Sequence, residues 1–401
     1  MSFKDMTTLG SVVKCFDHKR IPMSTRERRS KQGQYPYYGA AGIIDHVNKP
    51  LFSGLYLLMG EDGSVIKEDG TPVLQLVSGE FWVNNHAHVL QGETDLDTRF
   101  LYYALGNTHI QGFVTGAVQP KLNQANMNRI PVYFPEKSTR ERIVEILSAL
   151  DDKIELNRQT NATLEAIAQA IFKEWFVDFN YPGATGELVD GELGPIPKGW
   201  RAGKLNEIFS VQIGGDWGKD SRSPGAIQAI SLRGTDIDSL KFSGAAPKAP
   251  VRWIRESSIE KRKIENTDVL IGGSGLGPIG KSIYCDEHLH DIFDYPITYS
   301  NFCKRLSAPS PSEAVFGEII LENLYKSGEM RQYFTGTSIP NLDIDSLLGH
   351  KLVIPSRVVL EEYFEVISKH KFHHIFNNES KLLSQMRDSL IVRLMNDEVR
   401  I

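Results

Sequence analysis

The longest regular pattern of apolar positions lies in residues 139–177, where apolar or small side chains recur at alternating spacings of four and three residues. Two asparagines occupy the middle of this stripe. A heptad period of this kind predicts a long helix that pairs with another helix, and polar residues within the seam fix its register. Packing of the stripe on a globular core is the alternative. The seam positions are Ile143, Leu147, Leu150, Ile154, Asn157, Asn161, Leu164, Ala168, Ile171 and Trp175.

A second, less regular apolar stripe runs through residues 357–396, and His370, His373 and His374 interrupt it. Antiparallel pairing with the first helix would bury both stripes. It would also place one globular domain at each end, related by a pseudo-two-fold axis. Asn377 corresponds to Asn157 in the repeat described next, and we expect both asparagines to take part in helix pairing.

The chain repeats itself at an ungapped offset of 220 residues, which indicates two copies of one domain-plus-helix unit. The start of each copy and a Gly-containing turn also correspond, whereas the sequences between these anchors differ. We therefore expect one shared frame with different contents. The corresponding segments are Thr115-Gly116 and Thr335-Gly336, Pro120 and Pro340, Leu122 and Leu342, Pro135 and Pro355, residues 9–13 and 205–209, and residues 57–64 and 269–275.

A Gly- and Pro-rich stretch, residues 181–199, is typical of a connector. Together these patterns predict a mixed α/β (α+β) fold with two similar globular domains joined by two long antiparallel helices. The predicted boundaries are 1–138 for the first domain, 139–180 for the central helix, 181–356 for the connector and second domain, and 357–401 for the C-terminal helix.

The 401 residues carry a formal net charge of -5, which by itself argues against a nucleic-acid partner. The charge is unevenly distributed, since residues 1–40 contain eight Lys and Arg against three Asp and Glu. Charge on a binding face matters more than the total. The N-terminal segment therefore remains a candidate nucleic-acid contact.

The three cysteines form no C-x-x-C pair, which argues against a zinc ribbon or a disulfide framework and fits a reducing compartment. The first residues do not resemble a signal peptide, and no apolar run approaches the roughly 18–20 residues of a membrane span. We expect a cytoplasmic protein with no membrane partner.

Six segments have a familiar sequence: residues 115–123 (Thr-Gly-Ala-Val-Gln-Pro-Lys-Leu-Asn), which we call the junction motif, Ile130-Pro131, residues 140–144, residues 194–200 (Gly-Pro-Ile-Pro-Lys-Gly-Trp), residues 37–44 and residues 81–88. They resemble segments of the specificity subunits of type I restriction–modification enzymes, and the resemblance covers essentially the whole chain. The second copy of the junction motif departs from the first, with Ser338-Ile339-Pro340-Asn341-Leu342 in place of Val-Gln-Pro-Lys-Leu.

The resemblance implies that the two domains are target-recognition domains for an asymmetric, bipartite double-stranded DNA site. It also implies assembly with two methyltransferase subunits and with ATP-driven restriction subunits. S-adenosylmethionine, ATP and magnesium would then be used by those partners, with no cofactor and no catalytic residue in this chain. The sequence contains no Pro-Pro pair, so the [DN]-P-P-[YF] motif of amino-methyltransferases is absent.

Candidate DNA contacts come from basic, aromatic and amide residues. The basic run of residues 19–31 could clamp phosphates, although a solvated loop is the alternative. Asparagine can pair with adenine, whereas structural packing is the alternative for the aromatic and amide groups. His86 and His88 could suggest a metal pair, but no third ligand lies nearby in sequence and we predict no metal site. The candidates are Lys19, Arg20, Arg26, Arg28, Arg29, Lys31, Tyr37, Tyr38, Asn84, Asn85, His86 and Lys121 in the first copy, and Arg222, Arg233, Lys281, Asn301 and Lys304 in the second.

Residues 275–282 fit the P-loop pattern G-x-x-x-x-G-K-[ST], which makes a nucleotide-binding enzyme the main alternative function. A P-loop needs a helix that begins at its lysine, whereas the residues after Lys281 have the pattern of a strand end and a polar loop. We favour a Gly-rich turn at the DNA face, with Lys281 near a phosphate. A coiled-coil scaffold without DNA function is the remaining alternative.

Overall fold

The structure is a computed structural model that describes residues 5–116, 118–336, 338–369 and 373–395; the side chains of 242, 243, 369 and 373–378 are not among those described. The chain divides into two compact units. The first unit comprises residues 1–153 with 383–401, and the second comprises residues 154–382. No helix in the described ranges is both long enough and apolar enough to cross a membrane.

The first unit consists of small sheets packed around short helices. One sheet has the strand order β2-β9-β6-β7, another has the order β4-β3-β8-β5, and β1 pairs with β10. The strands are β1 Met6–Thr8, β2 Lys14–Cys15, β3 Tyr35–Tyr38, β4 Ile43–Val47, β5 Phe52–Ser53, β6 Tyr56–Gly60, β7 Leu74–Val77, β8 Glu80–Val83, β9 Ala87–Gln91 and β10 Pro131–Tyr133; the helices are α1 Leu9–Val12, α2 Thr25–Ser30, α3 Asp95–Gly106, α4 Gln124–Asn128 and the start of α5 Lys137–Phe176.

The second unit repeats this arrangement. Its sheets have the orders β14-β20-β17-β18 and β16-β15-β19, and β13 pairs with β23. The strands are β11 Leu188–Gly191, β12 Gly194–Pro197, β13 Arg201–Lys204, β14 Ser210–Val211, β15 Ala226–Leu232, β16 Val251–Arg255, β17 Asp268–Gly272, β18 Ser282–Cys285, β19 Ile297–Tyr299, β20 Cys303–Ser307, β21 Phe334–Thr335, β22 Asn341–Leu342 and β23 Lys351–Ile354; the helices are the end of α5, α6 Gly234–Ser243, α7 Glu256–Lys261, α8 Pro311–Ser327, α9 Ile344–Leu348, α10 Arg357–Lys369 and the start of α11 His373–Met395, whose end belongs to the first unit.

The predicted internal repeat is confirmed by the register of these sheets. In each unit the first strand after a basic segment pairs antiparallel with one neighbour and parallel with another: β3 with β4 and β8, and β15 with β16 and β19. The central strands β6 and β17 are buried along their whole length. A continuous apolar run is what a strand covered on both faces requires.

The long helix α5 confirms the predicted helix over residues 139–177 to within two residues at its N-terminal end and one at its C-terminal end. Ile143 and Leu147 are buried in the core of the first unit together with Leu394 and Met395 of α11. Phe172 and Trp175 belong to the core of the second unit. The ends of the stripe therefore pack in globular cores, which the alternative interpretation expected.

Helix pairing occupies the middle of α5. In the second unit, Asn157 is 1% exposed and its amide donates to Glu379 at 2.8 Å. Tyr363 donates to the Ala168 carbonyl at 3.4 Å. Residues further along α5 therefore contact residues that come earlier in the C-terminal helices. The pairing is therefore antiparallel, as predicted. The seam residues Leu150, Ile154, Leu164 and Ile171 are half-buried.

The C-terminal stripe is helical in both of its described parts, α10 and α11, as predicted for residues 357–396. Residues 370–372, including His370, lie outside the described residues. The side chain of Asn377 also lies outside them, so its predicted part in helix pairing stays a prediction.

Candidate nucleic-acid interface

Three loops of the first unit are joined by backbone hydrogen bonds into one surface. They are residues 61–64, 84–87 and 115–122, which we call the first loop platform. The amide of Glu61 donates to the His86 carbonyl at 2.9 Å, and the amide of Gly63 donates to the Pro120 carbonyl at 3.0 Å. The Leu122 amide donates back to the Glu61 carbonyl at 2.9 Å. The junction motif is thus fixed against two strand ends.

The second unit builds the same surface from residues 273–276, 300–303 and 335–342, the second loop platform. Gly273 donates to the Phe302 carbonyl at 2.7 Å, Gly275 to the Pro340 carbonyl at 3.1 Å, and Leu342 to the Gly273 carbonyl at 2.9 Å. These three bonds match those of the first platform, and all of their residues except His86 and Phe302 stand at positions that the sequence repeat aligned. The correspondence between the two copies therefore extends to single backbone hydrogen bonds.

The Thr-Gly pair that opens each junction motif has a local structural cause. Gly116 has a φ of +89° and Gly336 a φ of +85°, a conformation that favours glycine. A Cβ at Gly116 would lie 2.2 Å from the Gln119 carbonyl oxygen. Each glycine therefore allows the tight turn that closes the junction loop.

Both platforms present large apolar side chains to solvent among polar ones. Val118 is 99% exposed in the first platform, and Leu276 is 86% exposed in the second. Removing exposed apolar side chains from water is favourable, so a fixed surface of this kind is suited to contact with a macromolecule. Other exposed residues of the platforms include Asn85, His86, Gln119, Lys121, Asn301, Phe302, Ile339 and Asn341.

The structure places some of the predicted amide contacts on the platforms and one in the interior. Asn85, Lys121 and Asn301 are exposed there. Asn84 is 6% exposed, and its side-chain oxygen accepts a hydrogen bond from the His86 amide at 2.8 Å. Asn84 therefore shapes the loop instead of facing a base, which corrects its prediction as a DNA contact.

His88 occupies a buried position beneath the first platform. Its Nδ1 lies 2.5 Å from the Asp17 carboxylate and its Nε2 lies 2.7 Å from the Leu122 carbonyl. Burial would raise the pKa of Asp17, but the hydrogen bond and charge of His88, with help from Arg20, lower it below its ordinary value. The histidine thereby ties the junction loop to the strand below it.

Cys15, Asp17 and His88 offer ligand atoms within 4.8 Å of one another, which sequence distance had hidden. The chemistry of the cluster does not fit a metal ion. The guanidinium of Arg20 already lies 3.3 Å from the Asp17 carboxylate. Burial also raises the pKa of the Cys15 thiol to about 11, which disfavours the thiolate that a metal needs.

The basic run of residues 19–31, predicted to clamp phosphates, contains some residues that are held in ion pairs and others that are exposed to solvent. Arg20 pairs with Glu61 and donates to the Ala87 carbonyl. Arg28 pairs with Asp45 at 2.8 Å. These two arginines are committed to the fold, which corrects their prediction as free clamps. The exposed members of the run are Lys19, Arg26, Arg29 and Lys31.

The two candidate tyrosines of strand β3, Tyr37 and Tyr38, pack with the core. Tyr37 is fully buried, and its hydroxyl accepts a hydrogen bond from the Met23 amide at 3.0 Å. Tyr38 is half-buried and packs edge-on against Phe81. Core packing, the open alternative, therefore describes Tyr37, and its predicted groove contact is wrong in this fold.

The basic candidates of the second unit differ in how firmly they are held. Arg233 pairs with Asp236 at 2.9 Å and Lys281 pairs with Asp238. Lys304 is half-buried against Gly273. Arg222 is exposed. Arg233 and Lys281 are thus engaged in local ion pairs, and Arg222 is the most accessible of the four.

The P-loop alternative fails on geometry. Lys281 is followed by strand β18, in place of the helix that the nucleotide phosphates require. The amide of Gly280 donates to the Gly272 carbonyl at 2.9 Å, and the Lys281 amide donates to the Pro278 carbonyl at 3.2 Å. The loop amides therefore close the turn and do not converge on an anion.

Sequence reasoning missed the His88 network and a pair of tryptophans. The partners of His88 lie 71 and 34 residues away, so no local pattern could have found them. Trp217 and Trp253 lie beside Arg222 and Arg252. Aromatic residues interleaved with basic ones were a usable signal there.

Comparison with known proteins agrees with this geometry. Residues 3–166 match the family model described as the type I restriction modification DNA specificity domain. The MjaIX specificity subunit of Methanocaldococcus jannaschii is 25% identical over 321 residues, which cover 76% of this chain and 69% of that protein. A Haemophilus influenzae protein, provisionally named the type I restriction enzyme specificity subunit S.HindORF215P, is 38% identical over 142 residues.

The match to the Haemophilus relative covers 35% of this chain and spans only 36% of that relative's length. The crystal structure of a type I restriction–modification S subunit from M. genitalium shares the fold over 97% of this chain and 95% of that chain, with a TM-score of 0.57 and 15% identity. The chain is thus similar over most of its length to a type I restriction enzyme specificity subunit, and residues 3–166 match the DNA specificity domain of such enzymes.

Proposed function

We propose that this chain recognises an asymmetric, bipartite double-stranded DNA site as the non-catalytic subunit of a restriction–modification complex. The observation that carries the proposal is the loop platform built twice with one set of backbone hydrogen bonds and different exposed side chains. His86, Val118 and Gln119 face solvent in the first platform, whereas Leu276, Phe302 and Ile339 do so in the second. Two similar supports with different surfaces are suited to two different half-sites.

The charge of the first unit supports DNA as the ligand. Arg26 and Arg29 project from α2, which begins at a capping box between Ser24 and Glu27. Lys31 follows the helix and Lys19 precedes it, and all four basic side chains are exposed. A short capped helix thus displays cations that can displace counterions from phosphates. This local positive charge offsets the acidic net charge of the chain.

The chemistry of restriction and methylation would belong to partners. We propose that methyltransferase and restriction subunits dock on this chain and use S-adenosylmethionine, ATP and magnesium. In this scheme the chain contributes only the position and orientation of the complex on DNA. Phosphate contacts would set the register, and side chains of the platforms would reach the base edges.

Salt-dependent binding of a cognate duplex by the complex with its methyltransferase subunit tests the function. We expect Arg26→Ala, Arg29→Ala and Lys31→Ala together to make the slope of log K against log salt shallower by about 0.9 for each phosphate that is no longer neutralised. The control is Lys67→Ala, which removes an exposed cation outside the run. An unchanged slope would contradict the clamp, and a wild-type complex that ignores DNA sequence would contradict the function.

A nucleotide titration of the purified chain separates the enzyme alternative. The expected result is no ATP binding beyond that of the Lys281→Ala variant, because Lys281 is paired with Asp238 and precedes a strand. ATP binding that disappears in this variant would favour a nucleotide-binding enzyme instead.

A further inference from the structure

The segment before strand β15 is fastened to the edge of its sheet. Lys219 and Trp253 exchange backbone hydrogen bonds of 3.0 and 2.9 Å, so residues 216–220 extend the sheet beyond β16. Gly218 has a φ of +65°, and a Cβ there would lie 2.7 Å from the Trp253 carbonyl oxygen. The Asp216 side chain accepts from the Gly218 amide at 2.9 Å. This turn is therefore fixed relative to the strand.

Two tryptophans on this edge each have an arginine over the ring. Arg252 lies 4.7 Å from the ring centroid of Trp217, and Arg222 lies 5.8 Å from that of Trp253. The Arg252 Nε also donates to the Trp217 carbonyl at 3.0 Å, and its guanidinium pairs with Asp220. Arg252 thus stabilises the turn and is already paired with the Asp220 carboxylate.

Arg222 differs from Arg252 in its exposure and in its ion pairing. Its side chain is exposed, and no carboxylate within the described ranges pairs with it. Contact with an aromatic face is a favourable arrangement for a guanidinium, and it limits the rotamers that the side chain samples. The guanidinium near the Trp253 ring therefore keeps its N–H donors available to a ligand at low entropic cost.

The first unit places arginines at the equivalent position. Helix α2 precedes β3, as residues 216–225 precede β15, and Arg28 joins α2 to the edge strand β4 through Asp45. Arg26 and Arg29 on that helix are exposed. In each unit, one arginine thus forms an ion pair with an aspartate, and at least one other arginine is exposed. In both units, an exposed arginine thus lies in the segment that precedes this strand.

We propose that Arg222, supported by Trp253, reads a guanine in the half-site bound by the second unit. The proposal rests on the DNA-recognition function proposed above. Guanine presents O6 and N7 as paired acceptors in the major groove, and a bidentate arginine is their commonest partner. A phosphate accepts from any well-placed cation, whereas the aromatic support fixes the orientation of the fork. Recognition of a base requires a fixed orientation of the guanidinium, whereas binding of a phosphate requires only its charge.

The test uses sequences selected from randomised duplexes by the complex of the chain with its methyltransferase subunit. Arg222→Ala is expected to lower the preference for guanine at one position of one half-site by about 5- to 150-fold. Arg222→Lys should keep most of the affinity and lose this preference, because lysine has no planar fork. Replacing the guanine by 7-deazaguanine should weaken the wild-type complex and leave the Arg222→Ala complex unchanged.

The matched control is Arg255→Ala, which removes another exposed arginine at the end of β16 and should leave every base preference unchanged. An equal loss of affinity on all sequences in Arg222→Ala, with guanine preference kept, would show a phosphate contact and overturn the inference alone. An unchanged selected sequence would overturn it as well. A wild-type complex that selects no sequence would overturn the proposed function together with the inference.

Discussion

At the scale of single residues, partners distant in sequence decide which candidate side chains are available. The sequence identifies six basic residues between positions 19 and 31, but Arg20 and Arg28 are held by Glu61 and Asp45. Those acids lie 41 and 17 residues away, so only the fold can reveal the pairing. The glycine of the junction motif is different, since its left-handed φ requires glycine whatever the rest of the fold does.

Gly116→Ala should destabilise the first unit by about 1–3 kcal/mol, because it combines a positive φ with a Cβ placed 2.2 Å from the Gln119 oxygen. The control is Gly112→Ala, since a Cβ there meets no atom within 4 Å. Urea unfolding of both variants measures the free energy of unfolding. Equal stabilities for the two variants would mean that the junction turn is not strained as described.

Asp17→Asn should destabilise the first unit by about 1–3 kcal/mol at neutral pH, because it removes the carboxylate that faces His88, while Arg20 keeps its partner Glu61. The pKa of Asp17 is lowered on folding, so its contribution is present above the unfolded pKa and is lost as pH falls through the folded value. Thermal unfolding from pH 7 to pH 3 should show the wild-type advantage shrinking only in acid. A constant advantage would contradict this network, and Asp152→Asn, an exposed acid, serves as the control.

At the scale of elements, helix periodicity predicted α5 almost to its ends, because a 40-residue amphipathic pattern is a strong signal. It could not separate helix pairing from core packing, since both demand the same apolar stripe. Ile143 and Leu147 pack in a globular core, whereas Asn157 meets Glu379 on another helix. The short strands were harder to predict, because runs such as Lys14–Cys15 are defined by pairing with distant residues.

Leu394→Ala should cost the first unit about 2–5 kcal/mol, because this side chain is 3% exposed in that unit's core. Leu382→Ala on the same helix is the matched control, since Leu382 is 57% exposed and should change stability by no more than about 0.5 kcal/mol. Denaturant unfolding measures both. Similar small effects would contradict the packing of the C-terminal helix into the first unit.

At the scale of the whole molecule, the internal repeat was the most informative feature of the sequence. It predicted two similar units, and the structure extends the match to Gly63 and Gly275, whose amides donate to Pro120 and Pro340. The structure of the segments between these repeated positions could not be predicted, because their sequences differ between the two copies. Leu232 leads into helix α6, whereas Tyr38, its equivalent, leads into a turn before β4. Such divergence within one frame is what two different DNA half-sites would require.

The most direct test is selection of duplexes by the complex of this chain with the methyltransferase subunit proposed as its partner, repeated with one platform altered at a time. We expect the wild-type complex to select two defined segments separated by an unspecified spacer. Gln119→Ala with Lys121→Ala should change only one segment, and Asn301→Ala with Leu276→Ala should change only the other. A single continuous site, or both segments changing with either pair of substitutions, would contradict two independent recognition units.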